Sequence, residues 1–170
     1  MRPRNTSANF LVGLMETINK IFFNWSVIIV FIFLCFLLIE NNSYKNFAVN
    51  KIQYVKIAGV TLKVELALTS GTQEKGLSGK NNLEENEGML FIFNHTDKYP
   101  FWMKDMNFPI DIIWIGEDLR VVYIKKNALP ESYPETFTPS QNARYVLEVF
   151  SSFSEKNNLK EGDKVEFLSS

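Results

Sequence analysis

The sequence predicts a mainly β protein, a small antiparallel β-barrel or sandwich with one or two short helices, and one N-terminal transmembrane helix ahead of it. The first observation is a series of short runs in which apolar and polar residues alternate, as in half-buried strands. The second is that helix signals are scarce and no strand–helix–strand rhythm is present. The third is a long uncharged apolar run near the N-terminus.

The apolar run covers residues 21–39 and reads IFFNWSVIIVFIFLCFLLI, nineteen residues without a charge. At about 1.5 Å per residue, a helix of this length crosses a hydrocarbon core of about 30 Å. Arg2, Arg4 and Lys20 precede the run and Glu40 follows it. The positive-inside rule therefore predicts a single-pass cell-membrane protein with a cytoplasmic N-terminus and a domain on the outer, periplasmic or extracellular, side.

The segments on either side of the run have different predicted roles. Residues 1–20 carry apolar residues at helical spacing towards their end, which predicts an amphipathic cytoplasmic segment. A cleaved signal peptide would have a shorter apolar core and a small-x-small cleavage site, whereas this run ends in LLIENNS. We therefore expect the anchor to be retained. Residues 40–51 are polar and weakly patterned, which predicts a linker to a domain at 52–170.

Strands are expected to make up most of the domain at 52–170. Residues 60–69 alternate most clearly, and the pattern places Glu65 on the face opposite the apolar residues. Thr72 is a candidate cap for a short helix reaching Leu77, and Ser152 or Ser154 for another. Further strands are predicted at 52–57, 89–93, 110–115, 120–125, 145–150 and 164–168, separated by turn signals such as GEDL and LPESYP.

Charge and cysteine content exclude several classes of protein. From Asn41 onward, 15 Lys and Arg residues stand against 17 Asp and Glu residues, and no basic stripe is present. Nucleic-acid binding, which depends on clustered positive charge, is therefore not expected. The single cysteine, Cys35, lies inside the apolar run. The domain consequently has neither a disulfide framework nor thiolate chemistry.

Six motifs occur in order along the domain: VELALT at 64–69, EKGLSGK at 74–80, GMLFIF at 88–93, FWMKDMNFPID at 101–111, YVLEV at 145–149 and EGDKVEF at 161–167. In that order and at those spacings they resemble the DUF192 family, also called UPF0127, over residues 52–168. The resemblance implies a compact β-fold that is often exported or lipid-anchored. It implies no activity, because the family has no established one.

The sequence departs from the family pattern in three places. Ser78 stands where Met is usual, and Asp105 and Met106 stand where Asn-Thr is usual. The glycine expected soon after VLE is replaced by the sequence FSSF. The last departure concerns the loop after the YVLEV strand and leaves the expected fold unchanged.

Trp102, Lys104 and Asp111 are the candidate ligand-binding residues. Trp102 offers a stacking platform for a sugar or another flat ligand, with Lys104 at its edge. The alternative is that Trp102 covers the core. Asp111 follows Pro109 and opens an apolar strand, so its carboxylate is equally suited to accepting backbone N–H bonds at a turn. Both interpretations stay open on the sequence.

Three carboxylates, Glu65, Asp111 and Glu148, are the candidate catalytic residues. Each lies beside apolar residues in a predicted strand. If two of them shared a cleft, one protonated and one ionised, with carboxyl groups about 5–9.5 Å apart, they would suit hydrolysis of a glycosidic bond. The alternative is a structural ion pair, for example of Glu148 with Lys104 or Arg144.

No metal or cofactor site is predicted. His95 is the only histidine and has no cysteine or second histidine to complete a zinc site. Neither ENEG nor NHTD has the spacing of a calcium loop. A GxSxG nucleophile elbow is absent, and GLSG at 76–79 lacks the remainder of a phosphate-binding loop.

These observations favour a non-enzymatic, membrane-anchored binding or accessory domain of the cell envelope. Residues 21–39 are expected to contact the membrane. An envelope glycan, a small ligand or a membrane protein partner is expected to contact the domain. One alternative is an envelope polysaccharide hydrolase with paired carboxylates, and another is a structural domain that docks on a membrane protein complex.

Overall fold

The computed structural model describes residues 27–35 and 51–169. Residues 27–35 are helical, and the chain divides into two compact units at 1–49 and 50–170. In these described ranges, no helix is both long enough and apolar enough to cross a membrane. The span predicted at 21–39 is described only over 27–35. The segment predicted at 1–20 and the linker predicted at 40–51, apart from Lys51, lie outside the described residues.

The second unit is mainly β, and it carries two short helices, so both of these predictions are confirmed. The helices are α1 (Ser70–Lys75) and α2 (Phe153–Lys156), and a short 3-10 turn lies at Pro130–Ser132. The strands are β1 (Ile52–Ile57), β2 (Val60–Ala67), β3 (Glu87–Asp97), β4 (Phe101–Trp102), β5 (Ile110–Ile115), β6 (Val121–Ala128), β7 (Thr136–Phe137), β8 (Ala143–Phe150) and β9 (Val165–Ser169).

Seven of the strands form one sheet in the order β6-β5-β8-β3-β2-β1-β9, and β4 and β7 form a separate two-stranded sheet. Neighbouring strands in the large sheet are antiparallel except for β2 and β3, which are parallel. The prediction of an antiparallel sheet is therefore wrong for this pair. A parallel pair needs a crossover of at least about a dozen residues, and residues 68–86, which contain α1, supply it.

The edge strands β6 and β9 meet at one end only. Arg120 and Lys164 form an isolated antiparallel bridge there. The Val121 N–H donates to the Asp163 carbonyl at 2.9 Å, and the Val165 N–H donates to the Leu119 carbonyl at 2.9 Å. In the described part of the chain the sheet is thus not a closed barrel. The second sheet, with strands of two residues each, is too small to make a sandwich.

Both faces of the sheet centre are buried. All six residues of β5 are buried, which explains why this strand is a nearly continuous apolar run rather than an alternating one. Register decides which face each side chain occupies. Leu90, Leu147 and Ile113 align across β3, β8 and β5 on one face. Because side chains alternate along a strand, their neighbours occupy the other face.

We call this other face the pocket face, and it carries Met89, Ile112 and Glu148, which also align across the same three strands. Its apolar cluster includes residues from the connections that follow β2 and β4 and one residue of β7. The buried members are Ala67, Leu77, Met89, Phe91, Met103, Met106, Ile110, Ile112, Trp114, Ala128, Phe137, Ala143 and Val146.

Candidate functional site

Two of the sequence motifs meet over the pocket face. The loop after α1, part of EKGLSGK, lies against the segment that contains FWMKDM. Ser78 Oγ donates to the Lys104 carbonyl at 2.7 Å, and the Gly79 N–H donates to the Asp105 carbonyl at 2.9 Å. The Asn107 side-chain amide donates to the Lys80 carbonyl at 2.8 Å. These three bonds fix the two segments relative to each other, so the space between them is a pre-formed pocket.

Helix α1 is positioned by its own cap and by β3. Thr69 and Thr72 form a capping box at its N-terminus, which satisfies backbone donors that a helix leaves free. The Gln73 side-chain amide then donates to the Ile92 carbonyl of β3 at 2.9 Å. A helix of this length is marginal in isolation, so these contacts account for its place at the pocket wall.

Aromatic rings form most of the opposite wall. Phe91 and Phe93 are two residues apart on β3 and therefore share the pocket face. Phe101 packs edge-on against Phe91, with ring centroids 4.9 Å apart, and Tyr99 stacks on Phe93 at 3.6 Å. The Trp114 Nε1–H donates to the Tyr99 carbonyl at 2.8 Å. This bond holds the aromatic segment against the sheet.

Glu148 lies at the floor of the pocket and is only 4% exposed. Met89 and Ile112 flank it across the neighbouring strands. The backbone N–H of Leu77 donates to its carboxyl, while Oε2 has no hydrogen-bond partner among the described residues. Burial raises the pKa of the carboxyl to about 8, and the Leu77 N–H opposes the rise. At neutral pH the carboxyl is therefore mostly protonated and can both donate and accept a hydrogen bond.

Gly76, at the end of α1, allows the chain to approach Glu148 closely. Its φ is +51°, in the region that favours glycine. A Cβ at this position would lie 3.3 Å from Phe91 Cζ and 3.5 Å from Glu148 Oε2. The absence of a side chain therefore leaves the space beside the carboxyl open.

The resulting pocket has a volume of about 240 Å³. Its lining combines the buried carboxyl, the turn after α1 and five aromatic side chains. The lining residues are Gln73, Glu74, Lys75, Gly76, Leu77, Ser78, Phe91, Phe93, Tyr99, Pro100, Phe101, Trp102, Met106 and Glu148.

Of the predicted ligand-binding residues, the structure places Trp102 at this pocket. Its side chain is 44% exposed and its ring meets that of Tyr133 edge-on, with centroids 6.2 Å apart. Lys104 lies in a neighbouring depression with Ser78 and Asp105, although its Nζ is 6.0 Å from the Trp102 ring centroid. The two side chains are therefore close, but only Trp102 lines the aromatic pocket.

Asp111 is fully buried on the face opposite Glu148. It pairs with Val149 in the β5–β8 register, whereas Glu148 pairs with Ile112, so the two carboxyls point to different faces. Its Oδ2 accepts the Ser154 N–H at 2.8 Å, and its Oδ1 accepts the Asn127 N–H at 2.8 Å. Asp111 thus ties β5 to the end of β6 and to the start of α2, which is the structural alternative considered for it.

Glu65 shares the sheet row of Met89 and Glu148, two strands from Glu148. Neighbouring strands are about 4.8 Å apart, so the backbones of the two glutamates are separated by about 10 Å. The Glu65 side chain is 64% exposed and forms an ion pair with Lys80. The structure therefore brings no two of the three candidate carboxylates together in this pocket. The suggested ion pair of Glu148 with Lys104 or Arg144 is also absent from the described residues, where Arg144 pairs with Glu117.

The sequence reasoning did not assign Gly76, Leu77, Phe93 or Tyr99 to a site. The available signals were the motif EKGLSGK at 74–80 and the phenylalanines two residues apart in GMLFIF. A local pattern does not reveal which loop will cover which strand. For the same reason, sequence could not show that Leu77 donates to a residue 71 positions later.

The chemistry of the site centres on one buried carboxyl group, that of Glu148, among aromatic rings, with the exposed Glu74 and Lys75 at the rim. Over residues 27–35 and 51–169, no group of three His, Cys, Asp or Glu side chains is arranged to hold a metal ion. The buried carboxyl can exchange hydrogen bonds with a ligand, and the rings can stack on it or surround it. Phe91 and Phe101 already pack against each other, with ring centroids 4.9 Å apart, so a ligand would not have to order these two rings on binding.

The loop after β8 shows how the chain accommodates one departure from the family pattern. Ser152, in the sequence FSSF, has φ +70°, in the left-handed region that glycine favours. Its N–H donates to Asp111 Oδ1 at 3.3 Å. The loop therefore keeps a conformation that a glycine would adopt without strain.

Comparison with known proteins gives a family and no activity. The family model DUF192, described as an uncharacterized ACR, matches residues 53–167. A protein of unknown function from Novosphingobium aromaticivorans DSM 12444 has a similar structure, with a TM-score of 0.64 and 38% identity over 68% of this chain and 84% of that chain. A proposed transcription regulator from Sinorhizobium meliloti 1021 has a TM-score of 0.63 and 30% identity over 67% of this chain and 92% of that chain. No curated protein matches the sequence. The match over the whole β-domain, with the two similar structures, shows that this chain belongs to the DUF192 family.

Proposed function

We propose that this protein is a binding domain that takes a small ligand in the pocket above Glu148, and that residues 21–39 hold it at the outer face of the cell membrane. One observation carries the binding role. Glu148 is buried with an unpartnered Oε2 at the floor of an aromatic pocket. Buried polar atoms are nearly always hydrogen-bonded in folded proteins, so an unpartnered one that faces a pocket indicates a position for a ligand atom.

A binding role fits this pocket better than hydrolysis does. Glycosidic hydrolysis needs two carboxyl groups about 5–9.5 Å apart. Of the three candidates, only Glu148 lines the pocket, since Asp111 occupies the opposite face and Glu65 pairs with Lys80. The ring wall, the single buried carboxyl of Glu148 and the exposed Glu74 and Lys75 at the rim instead resemble the composition of ligand pockets, which are mostly apolar with a few placed polar groups.

The membrane placement depends on the sequence. The charge-free run at 21–39 and the basic residues before it support an anchor with the domain outside. Extraction of cell membranes with alkaline carbonate tests the anchor, and protease added outside intact cells or spheroplasts tests the side. We expect the full chain to stay in the membrane pellet and the domain to be digested. Release by carbonate, or digestion only after lysis, would contradict this placement.

The pocket is tested with small aromatic probes and the full-length protein in detergent micelles. The probes are benzylammonium, benzyl alcohol and benzoate, which share one ring and differ in charge. For fragments of this size we expect at least one Kd of about 1 mM, equivalent to about −4.1 kcal/mol. The Trp102→Ala variant removes a ring from the pocket rim and should weaken binding about tenfold, or about 1.4 kcal/mol.

Leu168→Ala is the matched control, because Leu168 is also an exposed apolar residue, at 36%, and lies on β9 away from the pocket. Its probe affinities should equal those of the wild type. If no probe binds the wild type, or if Trp102→Ala and Leu168→Ala behave alike, this pocket is not the ligand site.

A further inference from the structure

We infer that the ligand is a small organic cation with an N–H group, whose ammonium lies beside Glu148 Oε2 and between the aromatic rings of the pocket. This inference rests on the proposed binding function and adds the chemical class of the ligand. It is carried by the geometry of Glu148 and by the rings around it.

The first argument is the missing partner of Glu148. A buried carboxyl is normally paired with a basic side chain or satisfied by several donors. In the described part of the chain, Glu148 forms no ion pair, and Oε2 accepts no hydrogen bond. A ligand ammonium would supply both the opposite charge and the N–H donor.

The second argument is the nature of the walls. Aromatic rings attract a cation positioned over the ring face within about 6 Å of the ring centroid. Phe91, Phe93, Tyr99, Phe101 and Trp102 all line the pocket. An anion would instead meet the Glu148 carboxyl without a buried cation to pair with.

The other charged and titratable groups near Glu148 do not replace such a partner. Helix α1 contributes Glu74 and Lys75, which are both exposed at the rim and opposite in sign. The segment before β4 contributes Tyr99, and β8 itself contributes Arg144, whose guanidinium pairs with Glu117. Strands β3 and β5 face Glu148 with Met89 and Ile112, which do not titrate.

The volume of the pocket suits a ligand with one aromatic ring. Its volume is about 240 Å³, somewhat larger than the roughly 150 Å³ engineered cavity that binds benzene. One ring with an aminomethyl group, or an aliphatic amine of similar volume, fits this space. Benzylammonium is therefore a suitable probe.

Binding of a cation should be linked to release of a proton. Burial raises the pKa of the free Glu148 carboxyl to about 8, so at neutral pH the carboxyl must ionise when an ammonium binds. The affinity for benzylammonium should consequently rise about tenfold per pH unit up to about pH 8 and then level off. The affinity for benzyl alcohol should show no such rise.

The deciding experiment compares benzylammonium, benzyl alcohol and benzoate by calorimetry on the full-length protein. At about pH 8 we expect benzylammonium to bind at least tenfold more tightly than benzyl alcohol, and benzoate to bind most weakly. Calorimetry in two buffers of different ionisation enthalpy at pH 7 should show release of nearly one proton per benzylammonium bound. Glu148→Gln should lose both the preference and the proton release, whereas Glu65→Gln should keep both.

The outcomes separate this inference from the proposed function. Equal affinities for the cation and the alcohol, a tighter alcohol, or a preference that survives in Glu148→Gln would overturn the inference and leave a ligand pocket in place. Binding without proton release at pH 7 would also overturn it. If none of the three probes binds, both the inference and the proposed function are overturned.

Discussion

Replacement of Glu148 by glutamine should stabilise the folded protein at neutral and alkaline pH. Glutamine matches the neutral carboxyl in shape and keeps an oxygen that can accept the Leu77 N–H. It removes the ionisation that the buried site opposes. The pKa of Glu148 rises from 4.5 to about 8 on folding, because burial penalises the charged form.

The sign and size of the effect follow from this shift. Between the two pKa values the folded protein holds a proton that the unfolded chain has lost, so the free energy of unfolding decreases as pH rises. At about 1.4 kcal/mol per pKa unit, the loss is about 5 kcal/mol once the pH exceeds about 8. At pH 7 it is about 3 kcal/mol. The stability contribution of the neutral carboxyl is complete below pH 4.5 and is lost as the pH rises towards 8.

The assay is urea unfolding of the full-length protein in micelles, followed by tryptophan fluorescence from about pH 4 to about pH 9, with Glu65→Gln as the control. The stability difference between Glu148→Gln and the wild type should be near zero at the acidic end and grow to several kcal/mol at the alkaline end. Glu65→Gln should stay within about 0.5 kcal/mol of the wild type, since Glu65 is exposed. A difference between Glu148→Gln and the wild type that does not change with pH, or a variant that is less stable at alkaline pH, would refute the reasoning.

Two further substitutions test the structural assignments around the site. Asp111→Ala leaves the N–H groups of Asn127 and Ser154 without their acceptor. It should therefore lower the free energy of unfolding by about 3 kcal/mol in the same urea assay. A loss below about 1 kcal/mol would contradict a structural role for Asp111. Gly76→Ala places a methyl group 3.3 Å from Phe91 Cζ at a position with a positive φ. It should lower the free energy of unfolding by about 1–2 kcal/mol and weaken probe binding, measured by calorimetry. Wild-type stability and affinity in this variant would show that neither the backbone strain nor the close approach matters.

The fold could be predicted from the sequence where the patterns are local. Residues 52–57 and 110–115 were predicted as strands with the same bounds that the structure gives. Alternation and turn residues determine such strands without reference to the rest of the chain. The parallel pairing of β2 with β3 was missed although a short helix was expected between them, because a local pattern does not show in which direction the following strand joins the sheet.

The site could be predicted only in part. Trp102 and Glu148 were named from their unusual setting, a tryptophan beside charged residues and a glutamate inside an apolar strand. Whether Asp111 joins Glu148 depends on the register of β5 against β8, which a single sequence does not contain. One residue of register moves a side chain to the other face of the sheet, and here it separates the two carboxyls.

The protonation state of Glu148 tests the binding site most directly. It can be measured by NMR of the full-length protein labelled with ¹³C at the glutamate carboxyls, with the Glu148 signal assigned by its loss in Glu148→Gln. We predict a titration midpoint of about 8 in the free protein and a lower midpoint when benzylammonium is present. A midpoint near the ordinary value of 4.5 that does not respond to any of the three probes would contradict both the buried carboxyl and the ligand site.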